Sequence, residues 1–152
     1  RIIMKFEAEH DVPLVNIDPT SLDQILVNLC INARDAIAEQ GKINISLKYQ
    51  HIQEATCLSC QSGINGNYVV LCVEDSGQGI PDDAMQRIFK PFYTTKSADQ
   101  GTGLGLSIIH NITHGCQGHI LVTSQPGSGG SQFKVLLPAT ATDAKPALRK
   151  AG

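Results

Sequence analysis

The sequence predicts an α+β fold, a two-layer α/β sandwich in which about three helices cover one face of a mixed, antiparallel-rich sheet. Three observations carry this. Lys42 to Gln50 alternates, with Ile43, Ile45, Leu47 and Tyr49 on one side and Asn44, Ser46, Lys48 and Gln50 on the other, the period of a half-buried strand. Tyr68 to Val73 is apolar on both sides, as a central strand is. Leu22, Ile25, Leu26, Leu29, Ala33, Ala36 and Ile37 recur at steps of three and four, one apolar stripe of an amphipathic helix.

In order along the chain, Ile2 to Ala8 and Pro13 to Ile17 read as short strands joined at His10-Asp11. Asp18-Pro19-Thr20-Ser21 supplies turn and N-cap chemistry for the first helix, and Gly41 is expected to end it. The alternating strand follows, then a polar loop from Gln53 to Asn67, then the central strand. After Asp75 come a glycine-rich loop, a short helix around Asp82 to Phe89, a polar segment from Thr94 to Thr102 and a helix from Leu104 to about His114. Ile120 to Ser124 and Gln132 to Leu137 are the last strands, flanking a turn at Gln125 to Gly130. From Pro138 the apolar period is lost, so residues 1–138 form one domain and 139–152 a flexible tail or linker.

At 152 residues with 41% apolar and 17% charged side chains, the composition is that of a globular domain. A formal net charge of -2 argues against nucleic acid as a partner, since a basic footprint is its usual sign. No apolar run approaches the roughly eighteen residues of a membrane span, so no direct membrane contact is expected of this domain. The chain opens at Arg1 directly into strand-like sequence, and a piece of a longer protein is expected, with any membrane anchor or sensor elsewhere. Five cysteines without framework spacing favour a reducing cytoplasm.

Four segments carry chemistry. On the polar side of the first helix, Asn28 and Asn32 stack one turn apart, with Gln24 and Asp35 extending the stripe. Asn is a poor helix former, and its carboxamide oxygen is a hard neutral ligand suited to Mg2+; a solvated polar face is the alternative. Asp75-Ser76-Gly77-Gln78-Gly79-Ile80 leaves the central strand with a carboxylate followed by two glycines. Such a turn lets a flat ligand lie on bare backbone while Asp75 accepts from an exocyclic amine, or it is a common Asp-Ser-Gly turn. Gly101-Thr102-Gly103-Leu104-Gly105-Leu106-Ser107 brings backbone N–H groups and a helix start within reach of phosphates, yet matches neither the P-loop nor the dinucleotide spacing. Between them, Ile88 to Lys96 holds Phe89, Phe92 and Tyr93 as anchors and Lys96 as a cation for a polyphosphate.

It is the order of these segments that is specific. Together they resemble the N, G1, F and G2 boxes of the GHKL (Bergerat-fold) ATPases, and in detail those of bacterial sensor histidine kinases, over roughly residues 1 to 138. Asp18-Pro19, Leu26-Val27-Asn28-Leu29, Asn32-Ala33-Arg34-Asp35-Ala36, Pro91-Phe92-Tyr93-Thr94-Thr95-Lys96, Gly103-Leu104-Gly105-Leu106-Ser107, Gly118-His119-Ile120 and Pro126-Gly127 all fit that pattern. The resemblance implies ATP and Mg2+ as cofactors. It implies that Asn32 holds Mg2+ with Asn28 beside it, and that Asp75 receives the adenine amine in a pocket shaped by Gly77, Gly79 and Ile80 with Ser131 near its floor. Gly101, Thr102, Gly103, Leu104, Gly105 and Leu106 would line the phosphates. Phe92 to Gly101 would form a lid bearing Tyr93, Thr95 and the catalytic Lys96. The γ-phosphoryl group would go to a histidine of the protein's own dimerisation and phosphoacceptor domain, with a response regulator downstream.

Departures narrow that expectation. Asp35 stands where many relatives carry Lys or Arg, and Arg34 points about 100° away around the helix. None of His10, His51, His110, His114 and His119 sits in an acceptor-like helix, so the fragment is expected to bind ATP without phosphorylating itself. An autonomous ATPase and a non-enzymatic nucleotide sensor are the competing functions; the former usually has a Glu general base at the position of Asn28. Cys57-Leu58-Ser59-Cys60, with only His51 as a further ligand nearby in sequence, reads as an uncommitted hairpin tip or, as the sharper alternative, a redox or dimer-bridging metal role.

Overall fold

A computed structural model describes residues 1–90, 105–125 and 129–140. The elements in chain order are β1 (Ile2–Ala8), α1 (Pro19–Ala36), β2 (Gly41–Thr56), β3 (Gly63–Asp75), α2 (Asp82–Met85), α3 (Gly105–Gly115), β4 (His119–Gln125) and β5 (Gly130–Pro138). They build a five-stranded sheet in the order β1-β2-β3-β5-β4. β1 runs parallel to β2, from Ile2 opposite Gly41 to Ala8 opposite Leu47; the other neighbours are antiparallel. Parallel neighbours need a crossover, and α1 supplies it.

Asp18 caps α1: it is extended, its carboxylate accepts from the Ser21 N–H at 3.2 Å, and Pro19 takes the first helical position, where a missing N–H costs nothing. Ile25, Leu29 and Ala33 form the buried face of α1, and Ser107, Ile109 and Thr113 that of α3. Both faces pack on the side of the sheet that carries Ile43, Ile45, Leu71, Val73, Phe133 and Val135. The other side is polar at Ser46, Lys48, Gln132 and Lys134, but near the β2–β3 tip it holds a second apolar cluster of Cys57, Ile64, Val70 and Leu136.

Four expectations are corrected. α1 ends at Ala36, not at Gly41: Ile37 is extended and turns its side chain into the core, its N–H still donating to Arg34 O at 3.1 Å. Gly41 instead opens β2, where a Cβ would stand 2.6 Å from the Ser76 hydroxyl. The segment expected as a loop, Gln53 to Asn67, is mostly hairpin, paired down to Thr56 and Gly63 around an irregularity between Ile52 and Ala55, with Glu54 left-handed at φ 58. Alternation there is masked by polar residues, yet Ile52, Ala55, Ile64 and Tyr68 supply the second cluster. Among the described residues Pro13 to Ile17 forms one bridge only, Val15 to Ala139, reinforced by the Thr140 N–H donating to Leu14 O at 3.0 Å. The helix expected through Phe89 is regular only over Asp82–Met85.

Candidate functional site

β3 is paired on both sides, so its C-terminal end lies inside the protein, and Asp75 there is 4% exposed. A buried carboxylate needs donors, and among the described residues Asp75 has two: the Gly77 N–H to Oδ1 and the Ser131 hydroxyl to Oδ2, each at 2.8 Å. Ser131 is opposite Asp75 in the β3–β5 register. The approach depends on Gly130, at φ 74, where a Cβ would stand 1.9 Å from Asp75 O.

The loop after Asp75 folds back onto α1. Gln78 N–H donates to Ala36 O at 3.1 Å, and a Cβ on Gly77 would meet that oxygen at 2.4 Å. Gly79 is left-handed at φ 79, a conformation that favours glycine. Ile80 is half-buried, and its N–H donates to Ser124 Oγ at 2.5 Å, while the Ser124 hydroxyl donates to Gly130 O at 3.3 Å. Ser76 Oγ accepts from the Lys42 N–H at 2.8 Å. Ser76 and Ser124 hold the loop in place, and nothing in their spacing marks them in the sequence.

Asn28 and Asn32 are half-buried, whereas Gln24 and Asp35 on the same helix are exposed. Asn28 Nδ2 is buried and finds no hydrogen-bond partner among the described residues. A Cβ on Gly105 would lie 3.9 Å from Asn28 Oδ1, so the carboxamide sits beside the start of α3. Leu106, half-buried, packs onto the main core behind it. Arg34 pairs with its neighbour Asp35 at 3.3 Å on the exposed side of α1. The structure thus joins Asp75, Gly77 and Ser131 at one strand end and Asn28 and Gly105 at a helix pair. Phe92, Tyr93, Thr95, Lys96, Gly101, Thr102, Gly103 and Leu104 lie outside the described residues.

The solved catalytic domain of the histidine kinase ThkA superposes with a TM-score of 0.70 at 34% identity, over 93% of this chain and 82% of that one. Full-length ShkA in complex with AMPPNP matches with a TM-score of 0.69 at 28% identity, over 92% of this chain and 26% of its own. The sensor kinase CckA of Brucella abortus (strain 2308) is 39% identical over 137 residues, 90% of this chain but only 14% of that protein. The sequence profile described as histidine kinase-, DNA gyrase B- and HSP90-like ATPase matches residues 17–141. With a mixed sheet backed by helices on one side, a buried acid at the end of its central strand and a profile match over most of its length, the chain belongs to the histidine kinase-, DNA gyrase B- and HSP90-like ATPase family.

Proposed function

We propose that the domain binds ATP with Mg2+ among α1, the loop after β3 and the start of α3, and donates the γ-phosphoryl group to a histidine. That histidine belongs to the dimerisation and phosphoacceptor domain of the same protein, which passes the group on to a response regulator. The observation that carries this reading is the buried Asp75 carboxylate, oriented by Gly77 and Ser131. Each carboxylate oxygen accepts more than one hydrogen bond, so Asp75 retains capacity for the adenine amine. Guanine would present a carbonyl oxygen there, a repulsive pair in a buried site. The nucleotide analogue in ShkA supports the same choice of ligand.

The donors on α1 fit Mg2+. Asn28 and Asn32 offer neutral oxygens to the ion, and the buried Asn28 amide nitrogen, without a hydrogen-bond partner among the described residues, can donate to a phosphate oxygen. Bound there, Mg2+ would neutralise phosphate charge. Asn32 would orient it with Asn28 beside it, Lys96 would add a cation to the phosphates, and Gly101, Gly103 and Gly105 would give backbone access. In transfer, the imidazole nitrogen of the acceptor forms a bond to the γ-phosphorus as the bond to the bridging oxygen breaks and ADP leaves; catalysis is positioning plus charge neutralisation. The domain would act on the cytoplasmic side, where ATP is supplied, and among the described residues no helix is long and apolar enough to cross a membrane.

The test is to mix the chain with its protein's phosphoacceptor domain and γ-labelled ATP. Label is expected on the acceptor domain and not on the chain alone, and Asn32→Ala should remove magnesium-dependent transfer. Phosphate release without any acceptor would indicate an autonomous ATPase, and ATP binding with neither outcome a sensor; either result overturns the kinase reading.

A further inference from the structure

The β2–β3 tip lies far from Asp75, at the opposite end of β3, and it gathers groups with no place in nucleotide chemistry. Cys57, Cys60, His114 and His119 each offer one ligand atom, and all four atoms lie within 4.8 Å of one another. Cys57 Sγ is 3.9 Å from His114 Nε2, and Cys60 Sγ is 3.7 Å from His119 Nδ1. A tetrahedral zinc ion with bonds of about 2.3 Å to sulfur and about 2.0–2.1 Å to nitrogen sets its ligand atoms roughly 3.3–3.8 Å apart. We propose that Cys57, Cys60, His114 and His119 form a zinc site that clamps the β2–β3 tip to the end of α3 and the start of β4.

The backbone on both sides is shaped for this. The tip closes through Cys57 N–H to Ser62 O and Gln61 N–H to Cys57 O, both 2.8 Å, with Gln61 left-handed at φ 67. Leu58 N–H donates to Ile120 O at 2.9 Å, seating the tip against β4. On the histidine side, α3 ends with Gln117 at φ 64 and Gly118 N–H donating to Thr113 O at 2.8 Å, which turns the chain back so that His119 comes beside His114. A Cβ at Gly118 would meet Leu136 O at 2.3 Å, so this turn cannot be loosened by another residue.

The chemistry agrees with the geometry. Cys57 is buried and the other three are half-buried, as a closed structural site requires. Ile120 N–H donates to Cys57 Sγ at 3.3 Å, a bond from outside the ligand set that steadies a thiolate. Two thiolates and two neutral imidazoles leave the zinc complex without net charge, so burying it is cheap. The Ser59 hydroxyl now touches both His114 Nε2 at 3.1 Å and Cys57 Sγ at 3.4 Å, and gives way to the ion. His51, the nearest histidine in sequence, is engaged elsewhere, with Nδ1 2.8 Å from Asn67 Oδ1.

The experiment is a metal titration of the intact chain, purified without chelator. The expected result is about one zinc per chain, and, after exchange for cobalt, the visible bands of tetrahedral thiolate coordination. The paired Cys57→Ser and Cys60→Ser change, or His114→Ala, should abolish both signals, while His51→Ala keeps them. A strong chelator should lower the melting temperature of the wild type and leave the cysteine variant unmoved. The cobalt spectrum of the wild type answers the question even where a variant fails to fold. Octahedral cobalt, zinc bound only at millimolar concentration, a Cys57–Cys60 disulfide in freshly reduced and zinc-loaded protein, or loss of metal in His51→Ala each overturns the proposal. ATP titration of the cysteine variant keeps this outcome separate from the nucleotide reading, on which the zinc site does not depend.

Discussion

Asp75 makes two bonds of equal length to unlike partners, and the difference between the partners predicts what an amide would do there. Gly77 N–H can only donate, so in Asp75→Asn the carboxamide oxygen must face it and the NH2 must face Ser131. The Ser131 hydroxyl can reverse its role and accept, so the fold keeps both contacts. A nucleotide amine approaching the former Oδ2 then meets a donor instead of an acceptor. Asp75→Asn should therefore leave urea stability within about 1 kcal/mol while weakening ATP binding by on the order of ten- to a hundredfold, the cost of one opposed buried hydrogen bond. Calorimetry with ATP checks the second figure; unchanged affinity would remove Asp75 from the adenine pocket. This residue was legible in the sequence because a carboxylate at a strand end followed by two glycines is a local signal. The bracing of the loop after it by Ser124 was not, since that hydroxyl comes from β4 and accepts from the Ile80 N–H, 44 residues away in sequence.

Among the elements, α1 and the loop after β3 depend on each other through a contact that only glycine permits. A methyl on Gly77 would stand 2.4 Å from Ala36 O and 2.8 Å from Ala36 Cβ, both on the last turn of α1. Backbone cannot swing aside as a side chain can. Gly77→Ala should destabilise the domain by about 1–3 kcal/mol, as overpacking does, and should reduce ATP affinity as well because the loop moves away from Asp75. A urea midpoint equal to the wild type would mean that the loop shifts freely and does not rest on α1. Helix α1 was legible from its stripe and cap, α3 as the apolar helix that follows the alternate glycines, and β3 from its apolar run. The outer half of the β2–β3 hairpin was not, because its strands beyond Gln50 are held by a small cluster seen only once Cys57, Ile64, Val70 and Leu136 meet. The histidines opposite Cys57 and Cys60 escaped for a related reason. His114 and His119 have zinc-like spacing from each other, but His114 is 57 residues from Cys57, and periodicity says nothing over that distance.

Across the whole molecule, α3 connects two ends with separate duties: it starts at Gly105 beside Asn28, and its last turn carries His114 beside the β2–β3 tip. Its middle is anchored by Ile109, which is fully buried in the main core. Scaffold and site can therefore be separated by temperature. Ligand that binds only the folded state stabilises by about 2.7 kcal/mol at a hundred times its Kd, and a domain of this size gains roughly 2–4 °C per kcal/mol. ATP with Mg2+ at that excess should thus raise the wild-type Tm by about 5–11 °C. Ile109→Ala leaves a cavity and should cost about 2–5 kcal/mol, lowering the starting Tm, yet it removes no group assigned to the nucleotide, so the shift on adding ATP should persist. Asp75→Asn should show the reverse, a near-normal starting Tm and, at the same ATP concentration, roughly half or more of the shift gone. If Ile109→Ala also abolished the shift while the protein stayed folded, the nucleotide site would extend into the packing of α3, and the division between a rigid sheet-and-helix frame and a ligand-binding edge would fail.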